Sequence, residues 1–332
     1  MDSTLDQWIF APSIDDVHAA AAALEDYSER TPLLENKDVN ADLELRLLIK
    51  AETAQRTGSF KFRGAFNRIR QLTDTQRKRG VIAYSSGNHA QAVACAAQMM
   101  GTQALIVMPS DAPRNKMERT AELGAEIVLY DRATETRENV AERIGADRGF
   151  VMVPPNEDAR VLAGAGTVAL ELVRQAEQRG ATLDVVLVPC GGGGLTAATA
   201  LVCEAMTPET QIFAVEPEAF DDTRRSLEAG KRLPNPKGRS TICDAIMTDI
   251  PGELTFSINR DRLTGVLTVN DDEVRAAMKL GFDQYKTVIE PGAAVGLAAA
   301  LHQRREFTGK TIAVIATGGN VDAAGYCAAI GQ

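Results

Sequence analysis

The sequence predicts an α/β protein of two lobes, each an open, mostly parallel twisted sheet covered by helices. Three observations lead there. Strand and helix signals alternate along nearly the whole chain. The strand segments are short continuous apolar runs, the pattern of strands buried on both faces. About ten such strands fit the 332-residue chain, which suits two sheets better than one.

The elements follow in order. Ser13-Ile14-Asp15-Asp16 caps an alanine-rich helix that runs to about Leu24. Leu43 to Ala51 reads as a strand, and Gly64 to Leu72 as a helix. Gly80 to Tyr84 is a short apolar strand, followed by an alanine-rich helix from about Asn88 to Met100 that stops at Gly101. Ala104 to Met108, Glu126 to Tyr130 and Phe150 to Val153 read as strands. Between them lie helices at Lys116 to Leu123 and Thr134 to Ile144. A long helix from Val161 to Arg179 leads to the buried strand Val185 to Val188. A helix from Leu195 to Met206 leads to the strand Gln211 to Val215. Helices near 271–286 and 291–305 precede the last strand, Thr311 to Ala316. No long linker, low-complexity tract or repeat interrupts the series.

Composition narrows the function classes. The chain is 45% hydrophobic and 24% charged, as ordinary globular proteins are. A formal net charge of −9 argues against nucleic-acid binding, which usually shows a basic face. No apolar run approaches the roughly 20 residues of a membrane span. Met1 to Asp6 is acidic and lacks a signal-peptide pattern, so a soluble cytoplasmic protein is expected. The five cysteines are widely spaced with no C-x-x-C pair, which suggests neither zinc nor a disulfide framework. Three histidines exclude a His-rich metal site.

In sheets of this kind ligands sit at the carboxyl ends of strands, so the loops there carry the information. Ser85-Ser86-Gly87-Asn88-His89 joins a strand to a helix. Hydroxyls, a glycine and a helix N-terminus suit an anion such as a carboxylate, and they equally suit an ordinary N-cap. Gly191-Gly192-Gly193-Gly194-Leu195 follows another strand. Four glycines carry an entropic cost, and the freely exposed backbone N–H groups suit a phosphate. The Lys-Ser/Thr of a P-loop is missing, so a nucleoside triphosphate with magnesium is not implied. Thr317-Gly318-Gly319-Asn320 follows the last strand, either as a simple turn or as a hydroxyl aimed at a ring nitrogen. Gly164-Ala165-Gly166-Thr167-Val168-Ala169 matches a loose dinucleotide pattern without the strand-turn register or the acidic partner, and is set aside.

Lys61 stands in Ser59-Phe60-Lys61-Phe62-Arg63-Gly64-Ala65. Between phenylalanines its amine is either a snorkelling helix-start lysine or a desolvated nucleophile able to form a Schiff base.

Taken in order, S-F-K-x-R-G-A, S-S-G-N-H, G-G-G-G-L and a hydroxyl-G-G-N resemble the fold type II pyridoxal-phosphate enzymes, which share the tryptophan synthase β-like fold. The nearest subgroup is the serine/threonine dehydratases and serine racemases, and the resemblance spans nearly the whole chain. It implies roles for residues of this sequence. Lys61 would form the Schiff base with the cofactor, and Phe60 would pack beside it. Asn88 would bond the phenolic oxygen. Gly191, Gly192, Gly193, Gly194 and the Leu195 amide would hold the phosphate, and Thr317 would face the pyridine nitrogen. Ser85, Ser86, Asn88 and His89 would cradle the substrate carboxylate, with Arg137 near the substrate and Asn156 lining the same cleft. Ser86 would be the second catalytic base of a racemase. The segment Glu216 to Asp222 is similar to a divalent-cation loop, in which Glu216, the Phe220 carbonyl and Asp222 would bind Mg²⁺, Ca²⁺ or Mn²⁺. Read from its residues alone, it is a solvated acidic loop.

The resemblance further implies a large cofactor-binding domain of residues 1–72 and 158–332, a small domain of 73–157, and a homodimer. It implies dehydration of a β-hydroxy amino acid such as threonine or serine to a 2-oxo acid and ammonia. Racemisation of serine or aspartate, dehydration of 3-hydroxyaspartate, and a non-catalytic cofactor-binding relative are the alternatives. Two departures stand out. Thr317 replaces the usual serine, and Thr241-Ile242-Cys243-Asp244-Ala245 replaces a segment often carrying Ala-Asp-Gly. The chain ends soon after Asn320, so no C-terminal amino-acid-sensing domain is expected.

Overall fold

The computed structural model describes residues 10–112 and 114–331. The acidic stretch Met1 to Asp6 lies outside the described residues.

In chain order, α1 (Ile14–Leu24), β1 (Leu33–Glu35), α2 (Lys37–Leu43), β2 (Arg46–Ala51), α3 (Lys61–Ile69) and α4 (Asp74–Arg79) come first. A strictly alternating run follows: β3 (Val81–Tyr84), α5 (Asn88–Met99), β4 (Ala104–Pro109), α6 (Arg114–Glu122), β5 (Glu126–Tyr130), α7 (Arg137–Arg148) and β6 (Val151–Met152). Next come α8 (Ala159–Gln178), β7 (Val185–Pro189), α9 (Gly194–Met206), β8 (Gln211–Pro217) and α10 (Asp222–Ala229). The chain closes with α11 (Glu253–Arg262), β9 (Gly265–Val269), α12 (Asp271–Tyr285), α13 (Pro291–His302), β10 (Thr311–Ala316) and α14 (Ala323–Ile330).

The strands form two sheets. One has six strands in the order β1-β2-β10-β7-β8-β9, and the other has four in the order β5-β4-β3-β6. All pairings are parallel except β1 with β2. The apolar runs are continuous because both faces of each sheet are covered. Along β7, Val185 and Leu187 pack into the cluster that holds α12 and α13, whereas Val186 and Val188 pack with α8 and α9. β10 alternates likewise, with Val314 on one side and Ile315 on the other. In the smaller sheet Ile106 faces the α5 side and Leu105 the α7 side.

Local chemistry sets the element ends. Ser13 and Asp16 form the capping box that starts α1. The sequence places a strand from Leu43, but Leu43 ends α2 and Glu44 turns left-handed at φ 57°, so β2 begins only at Arg46. The helix expected from Thr134 begins at Arg137, because Thr136 is its N-cap and accepts from the Asn139 amide. The glycine pattern set aside at 164–169 lies inside α8. A Cβ on Gly164 would come within 2.4 Å of the Arg63 carbonyl oxygen, so this glycine lets α3 and α8 touch backbone to backbone. β1, α2, α4, α10, α11, β9 and α14 are not anticipated by the sequence pattern.

The carboxyl ends of β3, β7 and β10 open into one cleft between the two sheets. No helix of the described residues is long and apolar enough to cross a membrane.

Candidate active site

Lys61 opens α3 and lines the cleft. Its Nζ donates to the Pro155 carbonyl at 2.9 Å and lies 5.1 Å from the Phe60 ring centroid. Burial pushes the amine down to about 8, which makes it a usable nucleophile near neutral pH. The Phe60 amide donates to the Thr317 carbonyl at 3.0 Å, which ties the lysine segment to the end of β10.

The glycine loop joins β7 to α9. Asn156 Nδ2 and Thr255 Oγ1 both donate to the Gly192 carbonyl, at 2.8 and 2.6 Å, and Asn259 Nδ2 donates to the Gly193 carbonyl at 3.2 Å. With those carbonyls tied back, the loop offers the cleft its N–H groups. No side chain caps the N-terminus of α9, which adds its dipole. Gly193 holds φ at +81°, and a Cβ there would lie 2.7 Å from Asn259 Nδ2. A Cβ on Gly192 would lie 2.3 Å from Asn156 Nδ2. Glycine is therefore required by the side chains behind the loop as well as by any group in front of it.

Ser85, Ser86, Asn88 and His89 line the cleft where β3 passes into α5. Ser85 Oγ accepts from the Gly87 amide at 3.2 Å, and no side chain caps α5 itself. Its first-turn amides could receive an anion. His89 takes no charged part in it. Its Nε2 bonds the Val153 carbonyl at 2.8 Å, and burial together with the charge of Lys61 pushes it down to about 3. The ring is neutral, with Nε2 as its donor and a lone pair on Nδ1, so its contribution to a carboxylate cradle is the backbone N–H. Arg137 lines the same cleft from the start of α7. Its Nε donates to Glu138 at 2.7 Å, and the guanidinium lies over the Tyr84 ring, 5.5 Å from its centroid. Thr317, buried at the end of β10, completes the group.

Phe60, Lys61, Ser85, Ser86, Asn88, His89, Arg137, the four glycines, Leu195 and Thr317 thus share one cleft. Glu216, Phe220 and Asp222 do not line it. Glu216 is fully buried at the end of β8 and accepts from the amides of Thr223 and Arg224, at 2.9 and 3.0 Å. Burial and the charge of Asp222 push Glu216 up to about 8. Asp222 accepts from Asn235 Nδ2 at 2.6 Å, and burial raises it to about 6. Among the described residues no group of three or more His, Cys, Asp or Glu side chains gathers as metal ligands.

Sequence reasoning missed Glu290, Lys116 and the lining residues Ile246 to Thr248, although it singled out the adjoining segment that ends in Asp244 and Ala245, which line the cleft too. Glu290 is the buried N-cap of α13, ahead of Pro291. An acidic residue before a helix-starting proline was the available signal, though it reads first as a cap. Lys116 sits in a charged helix and carries no local signal.

The donor set fits a phosphorylated aromatic aldehyde. The Lys61 amine can condense with the carbonyl, the glycine-loop amides suit the phosphate, and the Thr317 hydroxyl suits a ring nitrogen. A family profile described as pyridoxal-phosphate dependent enzyme matches residues 24–318. The chain is 41% identical over 324 residues to L-threo-3-hydroxyaspartate ammonia-lyase of Saccharomyces cerevisiae, covering 97% of each. It is 38% identical over 323 residues to serine racemase of Schizosaccharomyces pombe, covering 97% of this chain and 98% of that one. Its fold is similar to the crystal structure of a T.th. threonine deaminase, with a TM-score of 0.88 and 43% identity over 94% of this chain and 99% of that one.

Proposed function

This chain belongs to the pyridoxal-phosphate-dependent enzyme family, and from that premise we propose that it is an ammonia-lyase acting on a β-hydroxy amino acid. The substrate loses water across Cα–Cβ, takes one water back, and leaves as a 2-oxo acid and ammonia. The observation that carries this reading is the desolvated Lys61 amine in one cleft with the glycine loop and the uncapped start of α5.

Pyridoxal phosphate, when held there, supplies an electron sink for the charge left when Cα–H breaks. The protein does the rest. The α5 N-terminus and the Ser85 and Ser86 hydroxyls hold the carboxylate and so fix which Cα bond faces Lys61. Lys61 Nζ, oriented by the Pro155 carbonyl, takes the Cα proton. Thr317 would offer a neutral hydroxyl to the ring nitrogen, which could not stabilise a proton there as a carboxylate would. Asn88 would offer an N–H to the phenolic oxygen. Racemisation is a second reading, favoured by the Ser86 hydroxyl lining the same cleft, where it could return a proton to Cα.

The proposal includes a large domain of residues 1–72 and 158–332, a small domain of 73–157, a homodimer and a cytoplasmic location. The division is supported by the two sheets, which share no strand. It also includes a divalent cation at Glu216, the Phe220 carbonyl and Asp222, supported by two buried carboxylates whose pKa values are raised, as a cation between them would relieve. Protein given pyridoxal phosphate should show a visible band that borohydride removes, and should release 2-oxo acid from serine, threonine or 3-hydroxyaspartate. Absence of the band rejects the cofactor chemistry, and a band without turnover favours a non-catalytic relative. EDTA should lower the melting temperature and Mg²⁺ restore it, with neither effect in Glu216→Gln if the cation reading holds.

A further inference from the structure

Among the described residues, two cationic side chains besides Lys61 line the cleft, Lys116 from α6 and Arg137 from α7. An α-carboxylate needs neither, because the α5 N-terminus and the serine hydroxyls already supply its donors. A cation in a part-buried cleft loses hydration and calls for a counter-charge. Arg137 has one in Glu138 and lies over Tyr84. Lys116 has a partner of another kind. Its Nζ lies 2.6 Å from Oδ2 of Asp244, which lines the same cleft.

The two ends of that pair differ in exposure. The Lys116 side chain is 22% exposed and that of Asp244 52%. The carboxylate can turn to water at small cost while the amine stays in the cleft. Both charges also act on buried Glu290, which bonds Asn88, so the pair lies within electrostatic range of the inner site.

We propose that Lys116 receives a second carboxylate of the substrate, carried on its β-carbon, and that Asp244 is the counter-ion this carboxylate displaces. The inference rests on the β-hydroxy amino acid reading and narrows it to β-hydroxy amino dicarboxylates. The exchange swaps one carboxylate for another at Lys116, and Asp244 regains its hydration. Serine or threonine brings no replacement and leaves the pair clasped. Selectivity then arises from the strength of one part-buried charge contact against one more exposed one.

The test compares 2-oxo acid release from 3-hydroxyaspartate and from serine by wild type, Lys116→Met, Lys116→Gln and Asp244→Asn. In Lys116→Met the ratio of kcat/KM for hydroxyaspartate over serine should fall by about thirtyfold or more, as loss of a desolvated charge partner does. In Asp244→Asn the KM for hydroxyaspartate should fall, because the competing carboxylate is gone. A ratio that stays within about threefold, or equal loss on both substrates, overturns the proposal. Lys116→Gln keeps a donor without the charge, on a side chain one atom shorter, and carries the comparison should Lys116→Met not fold. Calorimetric binding of L-malate and L-lactate to the holoenzyme needs no turnover. Lys116→Met should weaken malate about tenfold more than lactate, and equal weakening overturns the proposal. Should wild type release 2-oxo acid from no β-hydroxy amino acid, the lyase reading fails, and the malate–lactate comparison still decides the role of Lys116.

Discussion

The side-chain amide of Asn88 donates to the buried carboxyl of Glu290 at 2.6 Å, and its carbonyl accepts from Asn320 Nδ2 at 2.8 Å. Asn320 also donates to the Thr57 carbonyl at 2.6 Å. A flipped Asn88 would set oxygen against oxygen and nitrogen against nitrogen. Its orientation is thereby fixed, and its second N–H is left for the cleft. Burial pushes Glu290 up to about 7 from an ordinary 4.5. A carboxyl whose pKa is raised by folding gives stability that is full below its unfolded value and is lost as pH rises through the folded one. Glu290→Gln has no such dependence. The unfolding free energy of wild type minus that of Glu290→Gln should fall by up to about 3 kcal/mol between about pH 4.5 and pH 7. Urea denaturation of the cofactor-free protein at several pH values measures this, and a flat difference rejects it.

Lys61 carries a second pH dependence, of the same origin and the opposite direction. Desolvation lowers its amine from 10.5 to about 8, and only the neutral amine attacks a carbonyl. The rate at which cofactor-free protein gains its visible band on adding pyridoxal phosphate should rise close to tenfold per pH unit up to about pH 8, then level off. Stopped-flow absorbance measures the rate. Lys61→Ala should gain no borohydride-sensitive band at any pH, and should keep the wild-type fold by circular dichroism. A rate that keeps climbing to pH 10 would show the amine to be an ordinary exposed lysine.

The parts of this site that the sequence made legible are those encoded in contiguous residues. The glycine run after β7, the hydroxyl-rich turn after β3 and the Phe-Lys-Phe segment each carry their chemistry within five residues or so. Parallel strand order then brings them together without further information, because ligand loops share one edge of such sheets. Glu290 and Asn88 meet across 202 residues and Lys116 and Asp244 across 128, and single polar residues give no periodic signal for such meetings. The Arg-Gly that follows Lys61 was legible only as part of a motif. Its physical reason is the crossing of α3 and α8, where a Cβ on Gly64 would lie 2.8 Å from the Val161 carbonyl oxygen.

The glycine loop allows a comparison between two left-handed glycines. Gly193→Ala places a Cβ 2.7 Å from Asn259 Nδ2 at φ +81°, so it must break the bond that ties back the loop. Gly230→Ala meets only the backbone penalty, for it holds φ at +66° with nothing within 4 Å. Both should lose about 1–2 kcal/mol of stability from the left-handed conformation. Gly193→Ala should also weaken pyridoxal phosphate by about a hundredfold, as loss of aligned phosphate donors does. Equilibrium dialysis of the two variants measures this, and equal affinities would remove the loop from the phosphate site.

Arg63 holds the helix that presents Lys61. It is fully buried, and its guanidinium grips two carboxylates. Nε and Nη2 donate to Glu52 at 2.8 Å each, while Nη1 and Nη2 donate to Glu171 at 2.7 and 3.0 Å. Lys50, also fully buried, donates from β2 to the second oxygen of Glu171 at 2.7 Å. Two cations and two anions balance, and this explains a lysine in an otherwise apolar buried strand. A lysine at 63 cannot reach both carboxylates in the planar two-pronged geometry. Arg63→Lys should therefore lose about 3 kcal/mol of stability, in the range for breaking a buried pair. Because Arg63 is two residues from Lys61 in the first turn of α3, the variant should also lose cofactor affinity at temperatures where it is fully folded. Arg68→Lys breaks a single-pronged contact with Asp158 and should cost less. Urea denaturation and cofactor titration on the two variants separate the cases, and a loss below about 1 kcal/mol in Arg63→Lys would mean the network is not what anchors α3.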